Sequence, residues 1–117
     1  MRFGPYIRMV REMLKEKDAR YSVRQLARRV GVEPAYLSKV ERELVPPPSE
    51  ATIRRLATEL RADPDVLLAM GGKVSQDLLE IIRRRPQLFA TMLRLLDSLP
   101  DPAVRGLLAG AMGKKAP

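Results

Sequence analysis

The stretch Ser22 to Val40, SVRQLARRVGVEPAYLSKV, limits what this chain can fold into more than any other. It reads as two short helices joined by a tight turn. Ser22 and, three residues on, Gln25 form an S-x-x-Q capping box, with Tyr21 and Leu26 placed as a hydrophobic staple. Ala27 is small where a second helix must cross closely. Gly31 suits the left-handed conformation that stops a helix, because it has no Cβ to clash. Pro34 fits the first position of the next helix, where no N–H is needed. Leu37 and Val40 then share a face that points back at Leu26, Ala27 and Val30.

Two helices with this small residue, this turn glycine and these apolar positions make a helix-turn-helix. With its flanks, the pattern resembles the helix-turn-helix family of phage repressors and Cro proteins, also called the xenobiotic-response-element family. The matching residues are Ser22, Leu26-Ala27, Gly31-Val32, Tyr36-Leu37-Ser38, Val40-Glu41-Arg42, then a proline-serine loop and Thr52-Ile53 with Leu56-Ala57. Three features depart from the family pattern: Val23 stands where Gln often follows the cap, Glu43-Leu44 replace a usual glycine turn, and the loop before Ser49 is slightly longer. The resemblance implies an all-α chain. A five-helix repressor-like helix-turn-helix domain over residues 1–71 precedes a short C-terminal helical segment over 72–117.

Along the chain, Gly4-Pro5 opens a first helix whose Phe3, Ile7, Val10 and Leu14 repeat at helical spacing and face the core. Arg8, Arg11, Lys15 and Lys17 fall on its other faces and are expected in solvent. Val45-Pro46-Pro47-Pro48 reads as a rigid loop, since proline pushes each preceding residue toward extended geometry. Ser49 caps a fourth helix carrying Ile53, Leu56, Ala57 and Leu60. Asp63-Pro64 opens a fifth through Val66, Leu67 and Met70, and Gly71-Gly72 marks the domain boundary. Beyond it, Ser75 is expected to cap a helix that stops at Pro86. Pro86 opens the next, and Asp101-Pro102 form a third cap-proline pair. The tail from Gly113 to Pro117 is expected to be loose.

The chain carries 22 basic and 14 acidic residues, a net charge of +8. Arg20, Arg24, Arg28, Arg29, Lys39 and Arg42 stand against Glu33 and Glu41, so the motif holds half of that excess. Alone, such a patch is a solvated helix face. Coinciding with the motif, it reads as a surface for phosphate. With no Cys there is no disulfide or thiol nucleophile, and with no His the commonest general base and zinc ligand are missing. No catalytic residue, cofactor or metal site is assigned. No secretory signal or membrane span is read, so a cytoplasmic protein is expected.

The resemblance implies a partner, double-stranded DNA, with the second helix of the motif in its major groove. The base-facing positions map to Pro34, Ala35 and Lys39, with Tyr36 and Ser38 near the rim. Lys39 can donate to guanine, whereas Pro34 and Ala35 offer apolar contact to a thymine methyl. Glu33 is either an acceptor for cytosine or a helix-dipole residue, and Tyr36 either meets phosphate or packs inward. Ser22, Arg24, Arg42, Ser49 and Arg54 are the phosphate-binding candidates. The expected role is a dimeric repressor.

The C-terminal segment is too short to hide its Leu, Ile, Phe and Met side chains by itself. It extends the first domain's core, joins two chains, or docks another protein. A homodimer is the preferred reading, with Leu78, Ile82, Phe89, Leu93 and Leu96 at the interface. Arg83-Arg84-Arg85 reads as a solvated helix end. The competing function is a protein-interaction module that keeps the motif as a scaffold.

Overall fold

A computed structural model of the chain describes residues 1–113, and every regular element among them is helical. The elements are α1 (Phe3–Lys15), a 3₁₀ turn (Ala19–Tyr21), α2 (Val23–Val30), α3 (Pro34–Glu41), α4 (Glu50–Leu60), α5 (Pro64–Met70), α6 (Gln76–Arg84), α7 (Pro86–Ser98) and α8 (Asp101–Ala111). They fall into two units, one ending at Ser75 and the other starting at Gln76. Apart from Gly113, the tail expected to be loose lies outside the described residues.

The first unit is held by one aliphatic core. Phe3 and Ile7 of α1, Leu26 and Val30 of α2, Leu37 and Val40 of α3, and Ile53 and Leu56 of α4 are all buried in it. Ala27, fully buried, lies where α2 and α3 pack together. Ser22 caps α2 by accepting from Gln25 N at 3.2 Å, Ser49 caps α4 by accepting from Thr52 N, and Asp63 caps α5 by accepting from Asp65 N and Val66 N. These bonds satisfy amides that a helix start leaves open.

Four helices of this unit end in the same way. Past each, one residue turns left-handed: Gly31 at φ 85°, Glu43 at 59°, Arg61 at 58° and Gly72 at 74°. The next amide reaches back to close the helix, Val32 N to Ala27 O, Leu44 N to Lys39 O, Ala62 N to Ala57 O and Lys73 N to Leu68 O, each within 2.9–3.0 Å. This is the Schellman motif. Glu43 and Arg61 adopt it although a Cβ disfavours that conformation.

Several expectations need correction. Helix α1 starts at Phe3, one residue before Gly4. A Cβ on Gly4 would collide with Val40 O and lie 2.8 Å from Glu41 O, so only glycine lets α1 sit on the end of α3. Arg11, expected in solvent, is 5% exposed and holds Glu41. In α5 the buried pair is Leu67 and Leu68, and Val66 faces out. The Ser75 hydroxyl is buried without a hydrogen-bond partner, so it does not cap α6. Asp101 is the first residue of α8 rather than its cap. The position before it is Pro100, which has no side chain to offer.

In the second unit Pro86 occupies the first turn of α7 as its fixed φ favours. Helices α6 and α7 touch. No residue of α6, α7 or α8 is buried.

Candidate nucleic-acid interface

The motif's second helix, α3, has a buried side and an open side. Leu37, Val40 and Glu41 point inward. Ala35, Lys39 and Arg42 are exposed, four and three residues apart, and so form one outward stripe. Ser38 flanks it, half-buried. Pro34 is half-buried at the start of the helix, and Glu33 precedes it in extended backbone, exposed and without a side-chain capping bond. Tyr36 is partly buried against the core. Of its two alternatives, the structure has it packing inward.

At the N-terminal end of α2, Ser22 uses its hydroxyl oxygen on Gln25 N. Arg24 and Arg28, one turn apart, are exposed. They line a shallow groove of about 280 Å³ with Val32, Glu33 and Pro34, which brings two guanidinium groups beside the start of α3. Arg28 was not among the phosphate candidates. Its four-residue spacing from Arg24 was the available signal. Gln25 is exposed beside them.

The local charge excess is redistributed by ion pairs. Arg20 is clamped to Asp18 at 2.8 Å, and Asp18 also caps the 3₁₀ turn. These bonds from the Arg20 guanidinium and amide pull the Asp18 carboxyl down to about 2. Arg29 is bound to Glu59 at 2.6 Å, donates to Arg20 O, and lies 4.9 Å over the Tyr21 ring. Glu41 is taken by Arg11 from outside the motif. Among the described residues this leaves Arg24, Arg28, Lys39 and Arg42 without a carboxylate partner, against Glu33 alone. The cations that remain uncommitted are therefore those on the open faces of α2 and α3.

The remaining candidates are placed differently. Arg42 folds back to donate to Ser38 O at 3.3 Å, a long bond that leaves its charge exposed. Ser49 is exposed and also donates to Thr52 Oγ1. Arg54 donates to Glu50 at 3.1 Å, so its charge is already matched. Arg55 turns inward, donating to Val30 O at 2.7 Å and so closing the end of α2. In the second unit, Leu78, Leu93 and Leu96 are exposed, whereas Ile82 and Phe89 are half-buried.

Among the described residues, no helix is long and apolar enough to cross a membrane. A family model described as a helix-turn-helix domain matches residues 2–70. No curated protein and no solved structure matches the chain.

Proposed function

The chain belongs to the helix-turn-helix domain family, and from that premise we propose that it binds double-stranded DNA as a transcription regulator, a dimeric repressor with α3 in the major groove. One observation carries this reading: the uncommitted cations Arg24, Arg28, Lys39 and Arg42 lie on the open faces of α2 and α3, while neighbouring cations are neutralised within the fold. A helix entering the groove presents such a stripe to base edges and brings flanking positive charge to the phosphates. Lys39 is the polar reader, taking guanine O6 and N7. Ala35 and Pro34 make apolar contact with a thymine methyl, and Glu33 accepts from cytosine N4. Ser38 stands at the rim. Ser22, Arg24, Arg28, Arg42 and Ser49 hold the backbone, and Arg54 joins them by exchanging Glu50 for a phosphate. Such a regulator works in the cytoplasm.

Selection of bound duplexes from a random pool tests this. The expected result is one enriched sequence with two-fold symmetry. Recovery of unselected sequence at every salt concentration would sink the sequence-specific reading.

A second reading is a protein-interaction module. It draws on the second unit, where three amphipathic helices leave large apolar side chains uncovered. The two readings part at the DNA: an interaction module keeps its partner when Lys39 and Arg28 are removed, and enriches no duplex.

A further inference from the structure

We propose that a second copy of this chain seats on one particular stripe of α7, formed by Leu88, Met92 and Leu95. This names the surface behind the dimer in the reading above and rests on that reading only for its effect on DNA.

The three residues are four and three apart, so they stack on one side of the helix. They are 58%, 59% and 49% exposed. The neighbouring stripe, Phe89, Leu93 and Leu96, is more covered: Phe89 is half-buried, and the others are 48% and 39% exposed. The far side of α7 holds Thr91, Arg94, Asp97 and Ser98, all exposed and polar. Helix α7 thus has an apolar arc of two stripes. One turns partly inward and the other meets only water. An apolar stripe left in solvent forgoes the burial that stabilises a helix of this length.

Area and charge both point to an identical copy. With Ile81, Leu107 and Met112, which are also exposed, the stripe offers on the order of 600 Å² of apolar side chain. Each partner of a standard interface contributes roughly 800 Å², rim included. Residues 76–113 carry five arginines (Arg83, Arg84, Arg85, Arg94 and Arg105) against four carboxylates (Asp77, Glu80, Asp97 and Asp101). So balanced a surface has no excess charge with which to select an acidic or basic partner, and two copies of it do not repel. Two-fold pairing through one self-complementary patch is the commonest assembly.

The chain has no cysteine, so a single introduced one reports on its own surroundings. In full-length protein, sedimentation should show a dimer at micromolar concentration. Oxidation should cross-link at least one of Leu88→Cys, Met92→Cys and Leu95→Cys, and neither Arg94→Cys nor Ser98→Cys. The pairs Leu88→Glu/Met92→Glu and Leu88→Lys/Met92→Lys should each be monomeric, and mixing them should restore a dimer, an outcome that misfolded chains cannot give. Each charged pair alone should bind the selected duplex about 100-fold or more weakly, the loss expected when two linked sites become one. A wild type that sediments as a monomer, charged variants that stay dimeric, or cross-linking through Leu93→Cys with none on the proposed stripe would each overturn the inference. A dimer with this seam that binds no duplex DNA supports the pairing and contradicts the DNA-binding reading. Monomers that bind the selected duplex tightly do the reverse.

Discussion

Arg11 grips Glu41 with two parallel hydrogen bonds, Nε to one carboxylate oxygen at 2.7 Å and Nη2 to the other at 2.9 Å, with both side chains almost fully buried. Its remaining nitrogen, Nη1, donates to Tyr21 O at 3.1 Å. One guanidinium thereby ties α1 to the end of α3 and to the turn before α2. Removing one member of a buried pair strands the other, at a cost of about 3–5 kcal/mol, whereas apolar replacement of both is often neutral or better. Arg11→Met and Glu41→Leu should each be strongly destabilising in urea melts, and the double variant should recover most of the loss. Additive losses would mean that the two residues do not act as a pair.

Affinity for duplex DNA should fall steeply with salt. With on the order of 6–10 phosphates contacted by a dimer, log K should drop against log salt with a slope of roughly −5 to −9. Titrations at several salt concentrations read the slope directly. A flat response removes the electrostatic basis for assigning Arg24, Arg28, Lys39 and Arg42 to the interface.

Lys39, Arg28 and Arg54 should separate by the kind of loss they cause. Lys39→Ala should cost about 1–3 kcal/mol on the selected site and relax one base pair. Arg28→Ala should weaken every duplex alike and lower the salt slope by about 1. Arg54→Ala should do less than Arg28→Ala, because Arg54 must leave Glu50 to reach a phosphate. Equal losses on selected and random duplexes for Lys39→Ala would remove α3 as the reader.

The two left-handed helix stops without glycine should be improvable. Arg61→Gly should raise stability by about 0.5–1 kcal/mol, since glycine adopts that backbone freely. Glu43→Gly should gain less, because it also gives up the exposed pair with Arg2 at 3.0 Å. Arg61→Ala serves as the control and should show no gain. A gain from alanine equal to that from glycine would rule out the backbone explanation.

Asp18 should contribute a pH-dependent increment to stability. Its folded carboxyl is lowered to about 2, below its ordinary value of 3.8, so the folded state favours the ionised form. The contribution is fully present above the unfolded value and is lost as the pH falls through about 2. Wild type should therefore exceed Asp18→Asn in thermal melts near neutral pH, and the gap should close from about pH 4 downward. A gap unchanged between pH 6 and 2 would assign the effect to the neutral capping bond alone.

Much of the first unit was legible because its signals are local. Ser22, Gly31, Pro34, Ser49 and Asp63 act on backbone groups within a few residues, and their roles can be read from spacing. Arg11 could not be read in that way. Its position on α1 is that of any surface cation, and its burial depends on Glu41, thirty residues away. The same limit applied to the charge of the motif. Counting residues credits Arg20 and Arg29 to the surface, but Asp18 and Glu59, both outside the motif, neutralise them. Arg28 emerged as an open cation only when those partners were known. In α7, both apolar stripes have helical spacing, and only coverage by the rest of the chain distinguishes Leu88-Met92-Leu95 from Phe89-Leu93-Leu96.

The absence of any buried residue in α6, α7 and α8 bears on gene dosage. If those helices find their cover in a second copy, the DNA-binding species is made by a second-order reaction between scarce chains. Below the pairing constant its amount follows the square of the chain concentration, so a twofold fall in synthesis becomes about a fourfold fall in operator occupancy. A promoter controlled by such a chain would respond to expression as a threshold and not in proportion to it.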